Sequence, residues 1–349
     1  MNVANLNFRR NPALELDRIL LMFGICLLHC VCQGRFMHHW PWNVLGCCVP
    51  GFVFISGYFG VRFSFSKVIR LYSVAVYASL IAPLVGGAWW TGVWWQEVVR
   101  VWNADGGFWF VHAYVLLLVM SPIVNVVFEK CEKREAVLRI LPLLLVVFGW
   151  GCLRNYNCLA WLIPTSPGLK AESFLTFMAV YCIGRCVRLL HIDERVPLPV
   201  KSVVAISLFV LISCTQGFLK AGNNPLCVCL AVVLFLLIKE LKMPFVLSRV
   251  ILFLAPFMFS VYCISGTIYF PFTEPKFFSI IEWCKDSLAD RGMPVMVTLI
   301  AAAGLAFVVG IVFALPQWLL AKIFNRQLSV FYSFVDSLPE RMVRKLEKL

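Results

Sequence analysis

The stretch LELDRILLMFGICLLHC, residues 14–30, decides the fold class. It is apolar over nearly the roughly 20 residues that a helix needs to cross about 30 Å of hydrocarbon, yet Arg18 and His29 lie inside it. Two other readings of an N-terminal apolar run fail here. Arg9-Arg10 ahead of it resembles the start of a signal peptide, but no A-x-A cleavage pattern follows. In Leu27-Leu28-His29-Cys30, a histidine stands where a lipoprotein cleavage site needs a small residue. The segment reads as a retained transmembrane helix.

Working outward, further apolar runs lie near 43–61, 68–90, 108–128, 137–153, 172–191, 198–219, 224–241, 249–272 and 294–323. With the first, near 14–34, they predict an all-α integral membrane protein, a bundle of about ten transmembrane helices. None alternates as the strands of a closed barrel do. The chain is 61% hydrophobic and 14% charged, against about 45–50% and 25% in soluble domains, which excludes a water-soluble core. The formal net charge of +13 raises the question of nucleic acid, but its placement answers it. When loops are assigned alternately, one side carries 22 basic residues, among them Arg62, Lys67, Arg70, Lys133, Arg185, Arg188, Lys239 and Arg341, and the other side only 8. That asymmetry puts both termini in the cytoplasm of a bacterial inner-membrane protein, with no nucleic-acid partner.

No soluble domain fits anywhere. The longest connections, 91–107, 154–171 and 273–293, are too short for a core of their own. Their aromatics (Trp94, Trp95, Trp102, Tyr156, Trp161 and Trp283, with Trp89 and Trp90 just before) read more simply as an interfacial belt than as a sugar platform. The expected organisation is a membrane domain over 1–327 and a short basic amphipathic cytoplasmic tail over 328–349. The tail's Val330, Phe331, Phe334 and Val335 precede Arg341, Arg344, Lys345 and Lys348, a pattern suited to lying on anionic membrane lipid. The 15 cysteines are scattered, and no CxxC pair has a second pair or a histidine arm, so neither a metal nor a structural disulfide is expected.

Ionisable groups within a membrane helix are costly, and each is a functional candidate. Arg18 and His29 are eleven positions apart, which returns the helix to within about 20° of the same face and displaces it by about 16 Å along the axis. A neutral imidazole at that depth can take a proton from a hydroxyl, although a lone intramembrane histidine also often serves as an interhelical hydrogen-bonding group. Arg18 taken alone reads as an interfacial anchor. Lys67 and Arg70, three apart and so on one helix face, follow the second apolar run with Arg62 nearby. At the level of Arg18 they would form a cluster able to hold phosphate, while Arg62 reads as plain positive-inside charge.

At these residues the chain resembles the acyltransferase 3 family, polytopic enzymes that O-acylate extracytoplasmic carbohydrates. That family's first helix carries an Arg, ten residues and a His, which Arg18 and His29 match, and its third a basic residue, two residues and an Arg, which Lys67 and Arg70 match. Residues 106–125 are similar to its Trp-Phe…Tyr…Ser-Pro…Asn segment through Trp109, Phe110, Tyr114, Ser121, Pro122 and Asn125, and residues 223–241 resemble a further recurring segment. In YCISG, 262–266, Ser265 replaces the histidine that members often carry there. The resemblance implies an acyltransferase with acyl-CoA, in the first instance acetyl-CoA, as donor substrate and no tightly bound cofactor. Arg18, Lys67 and Arg70 would meet the donor phosphates, and His29 would act as base or acyl carrier. Trp109 and Tyr114 would line the substrate cavity, although each also reads as core packing, and a carbohydrate would be the acceptor in polysaccharide O-acetylation. The rival reading is a transporter or flippase of a small molecule or lipid-linked sugar, with His29 as a proton relay.

The charge asymmetry makes a topological prediction. On a cysteine-free background, a single cysteine near Gly168 should react with an impermeant thiol reagent in intact cells, and one near Lys133 should not. The reverse pattern would invert the orientation.

Overall fold

A computed structural model of the chain describes residues 11–33, 42–86, 108–130, 171–214, 225–269 and 294–346, with a few positions between 135 and 142. The loops at 91–107 and 273–293, the run at 137–153 and the 154–171 loop lie largely or wholly outside the described residues, as do the aromatics assigned to the interfacial belt. The described residues hold helices and no strand. They are α1 Pro12–Gln33, a 3-10 turn Trp42–Cys47 leading into α2 Cys48–Phe59, α3 Phe65–Gly86 and α4 Trp109–Lys130. There follow α5 Ala171–Leu189, the short α6 Ile192–Arg195, α7 Leu198–Cys214 and α8 Pro225–Lys239. The chain continues with α9 Phe245–Leu254, a 3-10 turn Ala255–Phe257, α10 Met258–Tyr269, α11 Val295–Ile323 and α12 Asn325–Leu346.

Apart from the short α6 and the amphipathic α12, these helices fall on the apolar runs read from the sequence. Three segments among the described residues are long and apolar enough to cross a membrane: Trp109–Lys130, Phe245–Ser265 and Met296–Ile323. Shorter apolar helices occupy Asn43–Phe59, Leu198–Cys214 and Pro225–Lys239. The second spanning segment runs through the 3-10 turn that contains Pro256, whose ring removes one backbone donor and tightens the helix locally.

Helix α1 is the centre of the bundle, packed by α2, α8, α9, α10 and α11. Its start is encoded locally. Asn11 accepts the Ala13 N–H on its side chain at 3.0 Å and the Leu14 and Glu15 N–H groups on its carbonyl. Pro12 takes the first helical position, where no donor is missed, and Glu15 complements the helix dipole.

The tightest crossing is α2 against α5, which two glycines permit. A Cβ on Gly57 would stand 2.2 Å from the carbonyl oxygen of Tyr181, and one on Gly184 would stand 2.6 Å from that of Phe54. In a membrane, where lipid is as apolar as leucine, close backbone approach at small residues supplies packing that the hydrophobic effect does not. Gly60, at φ 67°, then turns the chain out of α2, its N–H bonding the Gly57 carbonyl at 3.0 Å.

Beyond that turn, several helix ends are tied together at one end of the bundle. Tyr58 donates to Asp193 Oδ2 at 2.6 Å, while Arg188 at 3.0 Å and Lys239 at 2.7 Å donate to the Tyr58 hydroxyl. Lys239 also pairs with Asp193, and Lys201 with Glu240. Lys201 donates to the Asp193 carbonyl at 2.8 Å. Burial acts to raise the Asp193 carboxyl, but the hydrogen bonds from Lys239 and Tyr58 outweigh it and hold the group below the ordinary carboxylate range.

Gly184→Ala and Gly57→Ala should each lower the thermal midpoint of the purified protein, because the obstructing atoms are backbone and overpacking costs about 1–3 kcal/mol. Gly304→Ala on α11, where an added Cβ meets nothing within 4 Å, should leave the midpoint unchanged or raise it.

Candidate functional site

Helix α1 carries Arg18 and His29 on one continuous helix, so the separation of about 16 Å expected from their spacing holds. Asp17 beside Arg18 is buried, as is Glu15. The Arg18 guanidinium reaches both oxygens of Glu15, at 3.0 and 3.2 Å, and lies within electrostatic range of the Tyr114 hydroxyl. Arg18 is thus paired with Glu15 of its own helix, with 38% of its side chain exposed.

His29 buries its Nδ1 and sets its ring 6.4 Å from that of Tyr262 on α10. Tyr262 in turn packs 5.3 Å from Phe110, and Phe110 stacks on Tyr114 at 5.7 Å with a 15° tilt between planes. The Tyr114 hydroxyl is 2.8 Å from Ser56 Oγ on α2. A run of aromatic contacts thus leads from His29 through Tyr262 and Phe110 to Tyr114, whose hydroxyl meets Ser56. Trp109 packs edge-on against Phe110, and at 40% exposed it stands on the rim rather than in the core.

Ser265 is fully buried, and its hydroxyl donates to the Tyr262 carbonyl of its own helix at 3.0 Å and contacts Cys26 of α1. The hydroxyl is committed to helix packing, a different task from that of a titratable imidazole at this place.

The second basic pair sits at the N-terminus of α3. Ser64 caps that helix, accepting the Lys67 N–H. Lys67 donates its ammonium to the Arg62 carbonyl, and Arg70 lies 4.2 Å over the ring of Tyr332 on α12. Burial lowers Lys67, Asp336 acts to raise it and Arg62 to lower it further, which leaves it below the ordinary lysine value. Among the contacts described, none joins Arg18 directly to Lys67 or Arg70. The sequence reading of one level of cations is resolved here into an Arg18–Glu15 pair on α1 and a Lys67–Arg70 pair on α3.

Of the other segment residues, Asn125 is structural. It donates to the Val61 carbonyl at 3.0 Å and accepts from the Tyr181 hydroxyl at 2.8 Å, lacing α4 to the α2–α3 turn and to α5. Ser121 is buried and bonds back to the Leu118 carbonyl at 2.8 Å, relaxing the helix beside Pro122. Sequence reasoning did not find Ser56, the Tyr262–Phe110 bridge, or the contact between Tyr72 and His112 Nδ1 at 2.9 Å. A pocket of about 390 Å³ opens elsewhere, between Asp193, Val196, Pro197, Leu198, Lys239 and Glu240, with none of the residues predicted from sequence in its lining. Among the described residues no group of histidine, cysteine and carboxylate side chains is arranged to hold a metal.

Compared with known proteins, the chain matches a family model described as an acyltransferase domain over residues 11–316, nearly its whole length. No curated protein and no solved structure matches it.

Asn125→Ala should lower stability by about 1–2 kcal/mol, since it removes two hydrogen bonds and leaves the Tyr181 hydroxyl and the Val61 carbonyl only their long mutual contact at 3.5 Å. Turnover per folded molecule should be retained, as measured at matched membrane levels. A full loss of turnover in a well-folded variant would move Asn125 into the chemistry.

Proposed function

We propose, for a chain that belongs to the acyltransferase 3 family, that it transfers an acetyl group from cytoplasmic acetyl-CoA to a hydroxyl of an extracytoplasmic or lipid-linked glycan. The observation that carries this reading is the aromatic wall that starts at His29, on the helix that bears Arg18. The two residues lie on one face of the central helix, and ring contacts run from His29 through Tyr262 and Phe110 to Tyr114. A pantetheine arm is on the order of 15–20 Å when extended, comparable to the roughly 16 Å of rise along α1 between them. The bundle crosses a bacterial inner membrane about ten times, with both termini in the cytoplasm, in keeping with the 22-to-8 division of basic residues.

In this account the donor phosphates rest on Arg18, Lys67 and Arg70, where charge-assisted hydrogen bonds favour a multiply charged anion. The acyl end reaches His29. A neutral imidazole there takes the proton of the acceptor hydroxyl as the oxygen attacks the thioester carbonyl. The C–S bond breaks, CoA leaves as thiolate, and the imidazolium returns the proton to it. Trp109 lies at the rim of the wall, where the acceptor approaches, and Tyr114 orients the arm through its ring and its bond to Ser56.

His29→Ala should abolish acetyl transfer, at a cost of about 10²–10⁴ in rate. His29→Gln separates chemistry from packing, because the amide keeps size and hydrogen bonding but cannot accept the proton. The readout is acetylation of surface glycan in cells expressing each variant at matched membrane levels. Substantial activity in the Gln variant would remove His29 from the mechanism and favour transport without acyl transfer.

A further inference from the structure

We infer that the C-terminal helix α12 is an autoinhibitory latch, in which Asp336 occupies the anion cradle at the N-terminus of α3 that the donor phosphate must take. The inference rests on the donor-docking reading above and adds to it the element that controls access.

The cradle is built from backbone and charge together. Asp336 Oδ1 accepts the Ser66 N–H at 2.9 Å. Lys67 and Arg70 both lie within electrostatic range of it. Unpaired N–H groups in the first turn of a helix, with the positive end of its dipole and two cations beside them, favour an anion. The chain supplies its own. Tyr332, one turn before Asp336, lies against the Arg70 guanidinium and so engages the second cation. The latch therefore engages the first turn of α3 through Asp336 and the Arg70 guanidinium through Tyr332, beside the pair that the donor needs.

The same helix is constructed to let go. It follows the bundle through a break at Phe324, and its contacts with the rest of the protein are chiefly with α3. Along its described length Val335 is buried, whereas Val330, Phe331, Phe334 and Leu338 are exposed. Those four recur at three- and four-residue spacing and form a stripe next to the face bearing Tyr332, Val335 and Asp336. Releasing α12 from α3 uncovers little apolar surface, which places it among the segments of low local stability. The stripe holds the helix on the bilayer surface in either position. A carboxylate with one charge yields to a phosphate with more. The closed fraction reduces the apparent donor affinity in proportion, because only molecules with an open cradle bind.

The test measures acetyl-CoA binding to the full chain in phosphatidylcholine nanodiscs, which add no anionic lipid. Asp336→Asn should tighten the apparent Kd by about threefold or more. Tyr332→Ala, which leaves the cap of α3 untouched, should tighten it in the same direction. A thermal melt of each variant establishes that it is folded. Unchanged or weaker binding in both variants would overturn the latch. The double variant Lys67→Ala/Arg70→Ala separates this failure from that of the docking reading. If it loses binding while the tail variants gain none, the latch alone is wrong. If it binds acetyl-CoA as the unaltered chain does, the docking reading fails and takes the latch with it.

Discussion

A helix carrying Glu15, Asp17, Arg18 and His29 cannot face hydrocarbon, and the rest of the molecule is arranged around that constraint. Each of these groups is expensive in lipid and must meet protein or water instead. The solution is to make α1 the central helix. Five helices pack on it, Glu15 answers Arg18 within the same turn, and the His29 ring lies against Tyr262. Once α1 is interior, its polar groups cease to be a liability, with Arg18 and, about three turns along, His29 on one face. Aromatic rings from α4 and α10 form the wall beside His29.

Such a wall needs a scaffold that holds its helices in register, and two physically different devices provide it. In the apolar layer, Gly57 and Gly184 let the backbones of α2 and α5 approach until only glycine fits. That crossing positions Ser56, and hence Tyr114. At the polar end, Tyr58, Asp193, Lys239 and Arg188 form a hydrogen-bonded network that ties together helices distant in sequence. Asn125 adds a third tie, between α4 and the turn that leads to α3. The network and the pocket beside it belong to this architecture.

Much of this was legible in the sequence, for identifiable reasons. The apolar runs report helices because the bilayer sets their length, and Arg18 with His29 stood out because charge inside such a run is costly. Long-range partners left no local trace. Nothing near His29 announces Tyr262, 233 residues away by number, nor does α3 announce that its N-terminus receives Asp336 from 270 residues downstream. The tail was read as amphipathic from its apolar and basic residues, which describes its exposed apolar stripe. Its other face, with Tyr332 and Asp336, is visible only once α3 is beside it. Asn125 and Ser265 show the complementary limit. Position within a family segment suggested chemistry or its loss, but geometry gives both of them to helix packing.

The central claim is that the donor lies along α1 with its acyl end at His29. The most direct measurement uses an acyl-CoA whose acyl group carries a photoreactive diazirine, cross-linked to the intact protein in membranes and mapped by peptide mass spectrometry. The account predicts label on α1 and α10, in peptides containing His29 and Tyr262, with competition by unmodified acetyl-CoA. Competable label concentrated instead at Asp193–Leu198, around the pocket at the polar end, would contradict it.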